Sequence, residues 1–182
     1  PSLVGSEMCI RDSFMSTIDN LLGRKEGLYY EWRFGKIFYT KEGTGKPILL
    51  IHDLSACSSE YEWNRIVSDL SKKNTVYTLD LLGCGKSDKP NFTYTNFLYV
   101  QLVTDFINNV IGEKADVIVT GNSCSFVLMA CHNNDEIIDR ILLINPPSIS
   151  SISKVPTKRT KMLKFIINIP FIGTLLFNLL HT

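Results

Sequence analysis

Missing from this chain are paired cysteine motifs, a dominant charge and repeats of any kind. None of its five cysteines stands in a Cys-x-x-Cys pair, so a cysteine-based metal site has no ligand spacing to build on. Their settings, inside apolar runs or turns, favour buried thiols in a reducing, cytoplasmic compartment over a disulfide framework. A formal net charge of +1 over 182 residues leaves no broad basic surface for nucleic acid, and 45% hydrophobic residues exclude a disordered chain. There are no low-complexity tracts and no internal repeats, which excludes a solenoid. What remains is one globular domain with a sizeable core. Acidic residues are also absent from Arg140 to Thr182, where the composition turns basic and apolar.

The first residues stand apart. Leu3 to Ser13 resembles a translated sequencing-library adaptor, and residues 1–13 are set aside from fold reasoning on that ground. No secretory signal is visible, although upstream sequence could have been lost. From Ser16 to Gly27 the pattern is polar and weak. Tyr29 to Thr40 then alternates around Gly35, which predicts a β-hairpin. The apolar run Ile48 to Ile51 predicts a buried strand, and Thr75 to Leu79 another. Tyr61 to Leu70 fits an amphipathic helix through Trp63, Ile66, Val67 and Leu70. Phe97 to Ile111 reads as a helix, and Ile141 to Ile144 as a strand ending at Asn145-Pro146-Pro147. Strands alternating with helices predict an α/β fold: a doubly wound, mostly parallel sheet behind an antiparallel N-terminal hairpin.

Ala115 to Asn133 is the stretch around which the rest makes sense. Val117 to Val119 suits a strand buried on both faces, while Phe126, Val127, Met129 and Ala130 suit a buried helix. Between them Gly121-Asn122-Ser123-Cys124-Ser125 makes a tight strand-to-helix turn with Ser123 at its apex. Alone, this is also the pattern of an ordinary turn with a serine N-cap. Two further motifs precede it. His52-Asp53 follows the run Ile48 to Ile51, and Asp80-Leu-Leu-Gly-Cys-Gly-Lys-Ser87 follows the next strand. In order and spacing the three resemble the α/β-hydrolase family, with its G-x-S-x-G nucleophile elbow, its His-Gly pair after the third strand and its D-x-x-G-x-G-x-S loop after the fourth. A phosphate-binding reading of the glycine pair competes poorly, because Pro90 follows and no helix start is offered to a phosphate. The resemblance runs from Tyr29 to about Asn145.

The resemblance implies a serine hydrolase acting on an ester, thioester or amide, with a small apolar substrate and no metal or organic cofactor. It implies Ser123 as nucleophile on a strained apex, with the oxyanion held by the backbone amides of Leu54 and Cys124. His52 and Asp53 belong to the loop beside the site, His52 through a structural hydrogen bond. Two residues depart from the family pattern. Asp53 replaces a glycine and brings a carboxylate beside a developing negative charge, so catalysis requires it to point away or be paired. Ser125 replaces the second glycine of the elbow. Cys124, a thiol beside a helix N-terminus, is a weaker rival as nucleophile.

The family's order of triad residues puts the acid and the histidine after the nucleophile. His132 lies nine residues down the elbow helix, roughly 13 Å from Ser123 at 1.5 Å per residue. Asn145-Pro146 occupies the end of the sixth strand, one place where relatives carry the acid. The acid and histidine are therefore expected beyond Thr182, and the chain is expected to be an inactive fragment. A reading from another class stays open: a non-catalytic α/β-hydrolase-like protein that binds a ligand or partner, kept alive by Asp53 and Ser125.

Residues 14–145 form the expected core and 146–182 the beginning of a helical cap. Lys154, Lys158, Arg159, Lys161 and Lys164 cluster there, and Met162, Phe165, Ile166 and Ile169 recur at helical spacing before Pro170. Three readings of this tail remain: a cap, a cap contacting a membrane surface through its basic residues, and a membrane span from Phe165 to Leu180.

Overall fold

The computed structural model describes residues 27–55 and 58–148. The chain divides between Pro146 and Pro147, and all described residues but Pro147 and Ser148 belong to the first unit. The expected adaptor segment, the lead-in at Ser16 and the cap from Ile149 onward lie outside the described residues.

Strands β1 (Leu28–Trp32) and β2 (Gly35–Glu42) form the expected hairpin, with Leu28 opposite Tyr39 and Trp32 opposite Gly35. They are followed by β3 (Lys46–Ile51), a 3₁₀ turn (Glu60–Trp63) running into α1 (Asn64–Leu70), and β4 (Asn74–Leu79). Helix α2 (Asn96–Phe106) ends in a π-helical turn (Ile107–Ile111), and β5 (Ala115–Thr120), α3 (Ser123–Asn133) and β6 (Ile138–Ile144) complete the unit. The strand order is β1-β2-β4-β3-β5-β6. From β4 to β6 all neighbours are parallel, and β2 joins β4 antiparallel. The doubly wound, mostly parallel sheet behind an antiparallel hairpin is therefore as the sequence predicts.

The middle strand shows why the sequence folds this way. Ile48, Leu49, Leu50 and Ile51 are all buried, although successive side chains point to opposite faces of a sheet. Leu49 and Ile51 join Val117, Val119, Phe106 and Phe126 in the cluster under α2 and α3. Ile48 and Leu50 join Trp63, Val67 and Val76 under α1. An unbroken apolar run is what a strand covered on both faces requires, each side chain contributing about 1.5–3 kcal/mol on burial.

The helix expected over Tyr61 to Leu70 begins as the 3₁₀ turn, whose Ser59 hydroxyl accepts the Tyr61 N–H at 3.4 Å. Trp63 and Val67, four apart, take the core face, and Ile66 is left exposed rather than buried. Helix α2 starts at Thr95, whose hydroxyl accepts the Leu98 N–H at 3.3 Å. Near its end Phe106 meets Tyr30, Tyr39 and Tyr77 edge-on, with ring centroids 5.2–6.3 Å apart, and so binds α2 to β1, β2 and β4. The chain leaves β3 toward β4 on one side and returns from β4 to β5 on the other. The connections after β3 and β5 therefore diverge, leaving the crevice at the carboxyl ends of the strands where α/β sheets place their sites.

Candidate active site

Two loops meet at that crevice: the one after β3, beginning His52-Asp53-Leu54, and the turn Gly121-Asn122 between β5 and α3. His52 is fully buried, and both of its ring nitrogens are committed. Nε2 accepts the Leu81 N–H at 3.0 Å, which leaves Nδ1 carrying the proton it donates to Asp53 O at 2.6 Å. The ring thus fixes the backbone of its own loop and offers no free nitrogen to a nucleophile. Its backbone carbonyl faces the other loop and accepts the Ser123 hydroxyl at 2.7 Å.

Asp53, half-buried, turns its carboxylate onto the elbow. One oxygen, Oδ1, accepts the N–H of Leu54 at 2.8 Å and that of Asn122 at 2.6 Å. The carboxylate neither points away from the crevice nor meets a lysine or arginine among the described residues; backbone amides pair it. Gly121 makes the approach feasible. It has a φ of 59°, and a Cβ there would lie 2.3 Å from Asp53 Oδ1.

Ser123 is 0% exposed and forms the first residue of α3. The strained apex expected at this serine is not found. Among the described non-glycine residues only Asn145 has a positive φ, and the left-handed residue of the turn is Gly121, two positions before Ser123. The strain falls on the residue that bears it most cheaply, and Ser123 continues into an ordinary helix with its hydroxyl turned inward. The two backbone amides expected to face an oxyanion are both occupied: Leu54 donates to Asp53, and Cys124 donates to Gly121 O at 3.2 Å. Asn122, which the sequence reading did not single out, supplies the second donor to the Asp53 carboxylate. Nothing local announces this role, which depends on a residue 69 positions away.

The Cys124 thiol is buried and directed at Val119 O, 3.6 Å away, and Ile144 O, 3.9 Å away. Burial pushes its pKa up and the Asp53 carboxylate adds to the rise, partly offset by backbone hydrogen bonds. A thiol held in this way is a poor source of thiolate. Cys84 is also buried and Cys131 partly so; all three described cysteines are free thiols.

The glycine loop after β4 supports the site from below. Asp80, 1% exposed, accepts the N–H of Glu60 at 2.6 Å and of Lys86 at 2.7 Å. Ser87 donates its hydroxyl to Asp80 O at 2.7 Å and accepts the Phe38 N–H at 2.9 Å, tying the loop to β2. His132 is exposed in the last turn of α3, at the far end from Ser123, and His181 lies outside the described residues. No histidine nitrogen or carboxylate hydrogen-bonds the Ser123 hydroxyl among the described residues. Nor do any three His, Cys, Asp or Glu side chains among them cluster to hold a metal ion.

Residues 48–178 match the alpha/beta hydrolase family. The chain belongs to that family. An alpha/beta hydrolase fold protein from Burkholderia ambifaria superposes with a TM-score of 0.66 at 20% identity, over 79% of this chain and 53% of that one. In sequence, the chain is 34% identical over 86 residues to a 2-hydroxy-6-oxo-6-(2'-aminophenyl)hexa-2,4-dienoic acid hydrolase from Metapseudomonas resinovorans, covering 47% of this chain and 29% of that protein. It is 24% identical over 110 residues to a soluble epoxide hydrolase from a Corynebacterium species, covering 60% of this chain and 38% of the relative. The chain thus spans about a third of the length of these curated relatives. As an α/β-hydrolase chain it places His52-Asp53, the Asp80–Ser87 loop and Ser123 on the carboxyl side of β3, β4 and β5. Among its described residues no helix is long and apolar enough to cross a membrane.

Proposed function

We propose that the whole protein is a serine hydrolase that cleaves an ester, thioester or amide through Ser123. The observation that carries this reading is the placement of Ser123 as the first residue of α3, directly after the tight Gly121-Asn122 turn that leaves β5 and against the β3 loop, where its hydroxyl lies 2.7 Å from His52 O. The N-terminus of α3 favours negative charge developing at that position. In the reaction the Ser123 oxygen bonds to the substrate carbonyl carbon while its proton passes to a base. The bond to the alcohol, thiol or amine then breaks as that group takes up a proton, and water releases the acid. The base and its orienting carboxylate come, in this proposal, from residues outside the described ones. A serine at the elbow argues against the chemistry of aspartate-based relatives such as epoxide hydrolases. An oxo-dienoic acid of the kind named for the Metapseudomonas relative belongs in the substrate panel beside activated esters.

A second reading, a non-catalytic ligand-binding protein, is favoured by the Ser123 hydroxyl, which is buried and given to a carbonyl rather than to a base. A fluorophosphonate probe on the full-length protein separates the two. The hydrolase reading expects covalent labelling that disappears in Ser123→Ala, with loss of esterase turnover on the order of 10⁴-fold or more. A full-length protein that resists the probe and hydrolyses no ester above the Ser123→Ala blank would be the binder.

A further inference from the structure

Building on the serine-hydrolase reading, we propose that Asp53 and Ser125 form a bracket around Asn122 and act together as positioning residues for Ser123. These are the two residues that stand where the α/β-hydrolase pattern has glycine, one in the His-Gly pair and one at the end of the elbow. Their side chains take hold of the same residue at its two ends. Asp53 Oδ1 accepts the Asn122 N–H at 2.6 Å, and the Ser125 hydroxyl donates to the Asn122 carbonyl at 2.9 Å. Glycine, with no side chain, can make neither bond.

What the two bonds fix follows from the planarity of the peptide group. The Asn122 N–H lies in the plane joining Gly121 to Asn122, and the Asn122 carbonyl in the plane joining Asn122 to Ser123. Holding one atom of each plane restrains the two dihedrals between them, which stand at φ −65° and ψ −24°. Those dihedrals aim the chain into α3, and the second plane carries the nitrogen of Ser123 itself. Alone, the Ser125 bond is the ordinary back-bond of a serine in a helical turn. The Asp53 bond is not local: it comes from 69 positions away and is made to a charged carboxylate. The Leu54 N–H orients that carboxylate at 2.8 Å, and the Asp53 carbonyl is tied to His52 Nδ1. Gly121 admits it, since a Cβ there would stand 2.3 Å from Oδ1. The same loop takes the next residue as well, through the Ser123 hydroxyl on His52 O. Asn122 is exposed, so without the bracket water competes for its N–H, and its carbonyl keeps only the Ser125 N–H at 3.3 Å. A displacement of about 1 Å at a reacting group can cost about 10²-fold in rate, which is the reason to hold the turn before a nucleophile from both sides.

The test compares the full-length parent with Asp53→Ala, Ser125→Ala and the double variant, and with Asp53→Asn and Ser125→Thr, which keep the acceptor and the hydroxyl. Turnover of an activated ester is measured beside the urea midpoint and the hydrogen exchange of the Asn122 amide. Each single alanine variant should lose about tenfold or more in kcat, with KM and the urea midpoint nearly unchanged, and should exchange the Asn122 amide faster. The double variant should lose no more than the worse single one, because either loss alone frees the turn. Asp53→Asn and Ser125→Thr should recover most of the rate. Turnover in Asp53→Ala equal to the parent's, or faster, would overturn the proposal, and so would losses that simply add. A loss of kcat matched by a fall in the urea midpoint would also overturn it, leaving both residues with a purely structural part. If the parent hydrolyses no ester above the Ser123→Ala blank, the hydrolase reading fails by itself, and the Asn122 amide decides the bracket: faster exchange in both single variants upholds it, and unchanged exchange rejects it. Should Asp53→Ala not fold, Ser125→Ala and Ser125→Thr decide by the same measurements.

Discussion

The carboxylate of Asp80 and the backbone of Gly85 occupy the same small space, and each dictates the other. Gly85 sits at a φ of 48°, and a Cβ on it would lie 2.0 Å from Asp80 Oδ2, the oxygen that takes the Lys86 N–H. Alanine there must either drive the carboxylate from its amides or open the loop. The left-handed backbone costs about 1–2 kcal/mol for a residue with a Cβ, and a lost hydrogen bond to a buried charged group about 1.5–3 kcal/mol more. Gly85→Ala should therefore destabilise the full-length protein by about 2.5–5 kcal/mol in urea unfolding. A loss below about 1 kcal/mol would show that the loop yields without breaking the Asp80 bonds. The sequence made this loop recognisable as a family motif, and the physical content of the motif is the pairing of Asp80 with Gly85 and of Ser87 with Phe38. Neither pairing can be read from local pattern, because both depend on backbone geometry and on a strand far away in sequence.

Whole elements were easier to read than the turns between them. Ile48 to Ile51 and Val117 to Val119 declared buried strands because both faces of a doubly wound sheet are apolar. The helix beginnings were less legible: the 3₁₀ turn at Glu60 looks in sequence like part of α1 and leaves Ile66 outside. The backbone of Ser123 was misread because the left-handed position of the turn falls on Gly121, two residues earlier, and the spacing of the motif does not say which residue takes it. A long-range link lies at the opposite end of the sheet, where Asp116 on β5 receives Lys46 of β3 at 3.0 Å and the Nε and Nη2 of Arg140 on β6. Hydrogen bonds from Arg140, then those from Lys46, hold the Asp116 carboxyl below the ordinary carboxylate range against the opposing effect of burial. A folded pKa below the unfolded one gives stability that is present above the unfolded value, about 3.9, and is lost as pH falls through the folded value. The parent should thus lose stability below about pH 4–5 more steeply than Asp116→Asn, and the variant should be the less stable at pH 7. Urea midpoints from pH 3 to 7 provide the check, and parallel profiles for the two proteins would deny the network a share in acid unfolding.

Across the molecule, stability should follow the strand order. Strand β3 has a neighbour on each side and its residues from Pro47 to Ile51 are buried, so freeing its amides requires breaking both the β4 and the β5 ladders and uncovering two clusters. Strand β5 is enclosed in the same way between β3 and β6. The two ends differ. Strand β1 exposes Leu28 and Tyr29, and β6 leaves Leu142 55% and Ile144 40% exposed while pairing, among the described residues, with β5 alone. An end strand can open locally by giving up one ladder, whereas a central one opens only with the whole sheet. Native-state hydrogen exchange should rank β3 and β4, the two central strands, slowest, with free energies of opening close to that of global unfolding. Strands β5 and β2, each one place from an edge, should follow, and β1 and β6 should exchange fastest. The decisive measurement is β6. Amides on its outer edge that exchange as slowly as those of β3 would mean that a segment outside the described residues pairs with it and extends the sheet. Fast exchange there, with β3 fully protected, would leave β6 as the working edge of the sheet and put the exposed side chains of Leu142 and Ile144 at a boundary open to solvent.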